Sequence, residues 1–237
     1  MSLFKIKICG IRFEADLLAA LDAGADAIGL NFYSPSVRSV SIEQASALAK
    51  AIVDRETSWT GKTVGVFVNH SASAIAESVH AANLNVIQLH GDERPEFLAE
   101  IQRELKHRSL DECTPIIRAV RVAKDLDGNA GTSELQAEVL RWKDAGAVMV
   151  LLDAAVPGSF GGTGDRLDWN ALAGVSFDLP FALAGGLNAH NVAEAISIAT
   201  PDAVDVASGV ENATHGKDTD SMVHFVARAK AALAELD

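Results

Sequence analysis

Cysteine is almost missing from this chain: Cys9 and Cys113 are its two examples in 237 residues. So few leave no disulfide framework and suit a reducing cytoplasm. Proline is scarce as well, 6 against 18 glycines, which argues against a disordered or fibrous polymer. Positive charge is in deficit, with 20 Lys and Arg against 32 Asp and Glu and a formal net charge of −12. Nucleic acid and anionic membrane bind through an excess of Lys and Arg, so both are disfavoured as partners. A small anion needs only a local positive spot and stays possible. No apolar run reaches transmembrane length, and the opening MSLFKIKICG holds too short an apolar run for a signal peptide. The seven histidines form no H-x-H or H-x-x-x-H pair, so no metal centre is expected. A cytoplasmic globular protein is the expectation.

What the chain does have is alternation. Short β-branched runs predict strands at Lys5–Cys9, Ala27–Asn31, Thr63–Val68, Val86–Leu89, Ile116–Val120, Val148–Asp153, Phe181–Ala184 and Ala203–Ala207. Between them lie Ala-rich helical patterns at Ala15–Ala23, Ile42–Val53, Ala72–Ala81, Glu96–Leu105, Ser133–Ala145, Asn191–Ile198 and Ser221–Leu233. Ser41 with Gln44, and Asn188, read as helix starts. Gly24 and Gly146, each inside Ala-Gly-Ala, read as left-handed helix ends. Eight strand–helix units of about 30 residues fit βαβ steps and predict one α/β domain over 1–237, a (β/α)₈ TIM barrel. An open doubly wound sheet is the alternative, but no G-x-G-x-x-G follows the first strand.

In such a barrel the chemistry sits at the carboxyl ends of the strands. Those ends read Cys9-Gly10, Asn31-Phe32, Asn69, His90-Gly91, Val120-Arg121, Asp153, Gly185-Gly186 and Ser208-Gly209. Side chains alternate along a strand, so Lys5, Lys7 and Cys9 share one face while Ile6 and Ile8 take the helix-facing side. Cys9 is therefore expected in the barrel mouth with an ammonium beneath it, a neighbour that favours the thiolate. A small buried hydrophobe is the other reading of a lone cysteine. Cys113 precedes strand five, on the opposite face, and is given no role. Asp153 closes the apolar run VMVLLD, where contact with hydrocarbon raises a carboxyl pKa and keeps a proton available; a carboxylate satisfied by backbone amides is the alternative. The glycine pairs after strands seven and eight match the recurrent phosphate site of these barrels. Arg38 is a candidate anion clamp. The glycine-rich VPGSFGGTGDRLDW after strand six has the position of a lid.

In order along the chain, KICGI, GLNFYSPSVRSVS, VGVFVN, VIQLHG, LLDA with GGTG, LAGGLNAHNV, and VDVASGVE followed by GKD resemble the segments of phosphoribosylanthranilate isomerases. The resemblance covers nearly the whole chain. It implies an Amadori rearrangement of N-(5-phosphoribosyl)anthranilate in tryptophan biosynthesis, with Cys9 as general base and Asp153 as general acid. It also implies that Arg38 holds the anthranilate carboxylate and that Gly185, Gly186, Ser208 and Gly209 hold the phosphate. Lys7, His90, Gly161 and Gly162 are the remaining implied substrate contacts. The partner is then a small phosphorylated substrate met by a monomer or homodimer, and no cofactor is needed. The residues by themselves reach only a phosphate-binding barrel with an acid–base pair. A histidine-pathway sugar isomerase would carry aspartate where Cys9 stands, and a ribulose-phosphate epimerase would need metal ligands. A non-catalytic binding barrel would bind without turnover.

Overall fold

A computed structural model describes residues 2–55, 59–110, 114–122, 128–154 and 167–236. Eight parallel strands close into a barrel in chain order: β1 (Ile6–Cys9), β2 (Ala27–Asn31), β3 (Lys62–Phe67), β4 (Val86–Leu89), β5 (Ile116–Val122), β6 (Met149–Ala154), β7 (Phe181–Leu183) and β8 (Ala203–Val206). The ring shuts by pairing β8 with β1, Lys7 lying opposite Asp205. Helices α1 (Glu14–Ala23), α2 (Ile42–Asp54), α3 (Ala72–Ala81), α4 (Phe97–His107), α5 (Gly128–Asp144), α6 (Val192–Ala199) and α7 (Thr219–Ala234) connect the strands. Instead of an eighth helix, the described residues between β6 and β7 form a single 3₁₀ turn, Trp169–Leu172.

The barrel exists because each strand sorts its side chains by parity. Ile6 and Ile8 point outward and are fully buried under the helices, against residues such as Leu17, Met222 and Phe225. Burying each such side chain contributes about 1.5–3 kcal/mol. The inward positions low in the barrel form a second apolar cluster of Ala27, Val64, Val86, Ile117, Met149, Ala182 and Ala203. Further along the same inner faces the character changes: Lys7, Gln88 and Asp205 are buried polar groups, and Cys9, His90 and Asp153 stand at the strand ends. The interior thus grades from a hydrocarbon floor to a polar mouth.

Local signals place the helices. Ser41 and Gln44 form a reciprocal capping box at the start of α2. Gly24 ends α1 with φ +86°. Asn188 caps no helix; its Oδ1 accepts from the His190 amide inside the preceding turn, and α6 starts after Asn191. Among the described residues, no helix is long and apolar enough to cross a membrane.

Candidate active site

The first side of the mouth is built on β1 and β8. Lys7 has no solvent exposure; its Nζ donates to Asp205 Oδ1 at 2.8 Å and to Gln88 Oε1 at 2.9 Å. Burial works against the Lys7 charge, but Asp205 and the Cys9 sulfur outweigh it and hold the ammonium pKa above its ordinary value. Cys9 is one step further along the same face, partly buried. Gly29 stands beside it on β2, where a Cβ would fall 2.7 Å from Cys9 Sγ and 3.1 Å from Lys7 Cε. A residue without a side chain is what lets both groups fit.

The Cys9 thiol does not behave as Lys7 alone would make it. Burial pushes its pKa up, Lys7 and Lys217 pull it down, Asp205 pushes it up, and the net direction is upward. Lys7 does favour the thiolate, as expected, but desolvation and the Asp205 charge outweigh it. Lys7 has no exposed surface and lies beneath the sulfur as its largest stabilising charge.

Arg38 reaches the same side from the loop after β2. The Asn31 side chain donates to Ser36 Oγ and accepts from the Tyr33 amide, and Ser36 Oγ accepts from the Arg38 amide, so the loop is held by its own hydrogen bonds. The arginine stem lies over Gly10, where φ is +79° and a Cβ would come 2.7 Å from Arg38 Cδ. Its Nε and Nη2 donate to Glu211 at 2.7 and 2.9 Å. Lys217, buried, donates to the same carboxylate at 2.8 Å and to the Ala207 carbonyl at 2.9 Å. Burial alone would raise the Glu211 pKa, but hydrogen bonds from Arg38 and the Lys217 charge bring it below the ordinary carboxylate range. Glu211 raises the Arg38 pKa in return. Two nitrogens of the guanidinium are thereby committed to Glu211.

The second side is built on β4 and β6. Asp153 is buried; its Oδ1 accepts from the Ala154 amide at 2.9 Å, and its Oδ2 lies 3.3 Å from His90 Nε2. That pair is close but not aligned as a hydrogen bond, and Nε2 has no partner among the described residues. The other ring nitrogen, Nδ1, is 3.1 Å from Gln88 Nε2. The turn that presents His90 is held by Glu93, which accepts from the Gly91 and Asn69 amides and from Arg118. Arg118 also donates to the Gly91 carbonyl and lies 4.6 Å over the Trp142 ring.

The two glycine loops come together next to this carboxyl. Gly185 and Gly186 follow β7 at φ +83° and +65°, and Ser208–Val210 forms a 3₁₀ turn after β8. Gly209 packs directly on the Leu187 carbonyl. The amides of Gly185, Gly186, Ser208 and Gly209 meet no acceptor among the described residues. Such amides are suited to a phosphate. Gly161, Gly162 and Cys113 lie outside the described residues. Among the described residues, no three His, Cys, Asp or Glu side chains are grouped to hold a metal ion. Sequence reading missed Gln88, Asp205, Glu211 and Lys217, though the inward parity of Gln88 and Asp205 marks both.

Residues 6–228 match the family model described as N-(5'phosphoribosyl)anthranilate (PRA) isomerase. An N-(5'-phosphoribosyl)anthranilate isomerase of Acinetobacter calcoaceticus is 42% identical over 222 residues, 94% of this chain and 94% of its own. The crystal structure of the phosphoribosyl anthranilate isomerase from Thermotoga maritima superposes with a TM-score of 0.76 at 31% identity, over 96% of this chain and 99% of that one. A crystal structure of such an isomerase in complex with reduced 1-(o-carboxyphenylamino)-1-deoxyribulose 5-phosphate gives a TM-score of 0.71 at 30% identity, with the same coverage.

Proposed function

This chain belongs to the N-(5'-phosphoribosyl)anthranilate isomerase family, and we propose that Cys9 is the general base and Asp153 the general acid of its reaction. The chain isomerises N-(5'-phosphoribosyl)anthranilate in tryptophan biosynthesis. The product is 1-(2-carboxyphenylamino)-1-deoxyribulose 5-phosphate. Asp153 gives its proton to the furanose ring oxygen, the C1–O bond breaks, and the anilino nitrogen forms a C1=N⁺ Schiff base. Cys9 as thiolate then removes the C2 proton, and the enolamine that results tautomerises to the ketone. Only protons and electron pairs move, so no metal or cofactor is called on.

The observation that carries this division is the contrast in partners. Cys9 stands over Lys7 with Lys217 near, and Asp153 has an imidazole and an amide. Cations favour a sulfur that must become negative, and a carboxyl without a paired cation is the better holder of a proton. Arg38 takes the anthranilate carboxylate, His90 faces the sugar beside Asp153, and the Gly185-Gly186 and Ser208-Gly209 amides take the phosphate. Gly161 and Gly162 are the remaining substrate contacts. The chain works as one barrel domain over 1–237, a monomer or homodimer in the cytoplasm.

The test is turnover of phosphoribosylanthranilate, generated in the cuvette and followed by loss of anthranilate fluorescence, in wild type beside Cys9→Ala. Turnover in the first and a fall of about 10²–10⁴-fold in the second is the expected result. Equal rates would remove Cys9 from the chemistry.

A further inference from the structure

Gln88 is fully buried inside the barrel, and its amide has two different neighbours. Oε1 faces Lys7 Nζ at 2.9 Å, and Nε2 faces His90 Nδ1 at 3.1 Å. The direction of this amide follows from elementary chemistry. An ammonium has donors only, so the amide oxygen must face Lys7. The ammonium stays charged, because Asp205 holds it at 2.8 Å and keeps its pKa above the ordinary value despite burial. The NH₂ end is then left for the histidine. An amide NH₂ is also a donor only, so Nδ1 must present a lone pair. A neutral imidazole with a bare Nδ1 carries its proton on Nε2. That atom is the buried, unpartnered one 3.3 Å from Asp153 Oδ2.

We propose that Gln88 is a positioning residue for the reaction: it fixes His90 as the Nε2–H tautomer, so that the imidazole offers a donor to the Asp153 carboxylate as that carboxylate forms. The proposal rests on Asp153 being the general acid. When Asp153 passes its proton to the ring oxygen, negative charge appears on its carboxyl. Oδ1 already has the Ala154 amide, and Oδ2 then gains the Nε2–H. A donor bonds a carboxylate more strongly than a carboxylic acid, so the interaction is stronger after proton transfer than before it. His90 stays neutral and no proton crosses it. The chain Asp205–Lys7–Gln88–His90 thus carries the orientation of one ion pair across the barrel to the acid.

The closing experiment reads the tautomer and the rate together. Enzyme labelled with ¹⁵N-histidine should show His90 protonated at Nε2 and bare at Nδ1. Gln88→Glu puts a carboxylate between Lys7 and Nδ1, an acceptor at both ends, and should move the proton to Nδ1. Its kcat should fall about a hundredfold to a thousandfold, the range for loss of one oriented donor, with KM changed far less. Gln88→Met removes the constraint without adding charge and should give mixed tautomers with a smaller fall. Wild-type His90 protonated at Nδ1 overturns the proposal even where Gln88→Glu fails to fold. So does an inverted tautomer with unchanged kcat. The acid assignment fails separately: turnover by Asp153→Asn would remove it without moving the ¹⁵N result, whereas an inactive Asp153→Asn beside an unimpaired Gln88→Glu would sink this proposal alone.

Discussion

On the β1/β8 side of the mouth, Cys9 is surrounded by the charges of Lys7, Lys217 and Asp205, with Arg38 and Glu211 beyond. On the β4/β6 side, Asp153 touches a strand amide and a histidine, and no lysine or arginine is paired with it among the described residues. Even Arg121, which is opposite Asp153 in the strand register, turns away to Asp92. The two sides suit the opposite tasks proposed for them, one group giving up a proton during the reaction and the other supplying one. A group that has to lose a proton is helped by cations, and one that has to keep a proton is helped by their absence. The cost of the first arrangement is desolvation, which is why the cysteine needs so many charges and still titrates above an ordinary thiol.

The contrast can be broken most severely on the carboxyl side. Asp153→Asn keeps shape and hydrogen bonding but has no proton to give, so kcat should fall by about 10²–10⁴-fold. Competition by inorganic phosphate should be nearly unchanged, since the phosphate amides are untouched. On the other side, Lys7→Met leaves Asp205 buried without its cation and should cost about 3–5 kcal/mol in urea unfolding. Adding Asp205→Leu should recover much of that stability while Cys9 remains poorly reactive. Alkylation by iodoacetamide in a Cys113→Ser background should show the Cys9 titration displaced further to alkaline pH, because the largest downward pull on it is gone. A Cys9 titration unmoved by loss of Lys7 would end the claim that the cations serve the sulfur.

Glu211→Gln should have a smaller effect. Arg38 and Lys217 lose their shared carboxylate, and KM should rise by about threefold to tenfold, in the range of one charge-assisted hydrogen bond. Linkage gives a second readout. The folded pKa of Glu211 is depressed, so its contribution to stability is fully present above the ordinary glutamate value near pH 4.5 and is lost as pH falls through the lower folded value. Glu211→Gln should therefore flatten the acid limb of a Tm-against-pH curve below about pH 4.5. An acid limb identical to wild type would take Glu211 out of the clamp. The smallest effect is expected from Cys113→Ser alone, which should leave kcat and KM at their wild-type values.

Much of this arrangement is legible in the sequence because parity on a strand is a local property. Alternation alone places Lys7 and Cys9 inward and Ile6 and Ile8 outward, and strand ends place Asp153 and the glycine loops. What is not legible is who meets whom across the ring. The partners of Lys7 are 81 and 198 residues away, and only closure of the barrel brings them together. Gly29 reads as an ordinary strand residue until its register against Cys9 is known. Local propensity also misleads where packing overrides it. The helical pattern begins at Ser133 in the sequence, because Gly128 and Gly131 are weak helix formers, yet α5 already runs from Gly128. Arg38 stands out in the sequence, but Glu211, which holds it, comes from the far end of the chain.

The pairing of Lys7 with Asp205 has a further consequence for how the molecule comes into being. The two residues are 198 positions apart, so every strand but the last can be synthesised before the lysine has its counter-ion. Contacts of such long separation close late and slowly in folding. Until β8 arrives, the nascent barrel holds a lysine meant for burial with nothing to balance it. The last strand therefore acts as a lock: the ion pair that completes the surroundings of Cys9 forms in the same event that seals the ring. Regain of turnover during refolding should accordingly lag behind regain of helical signal.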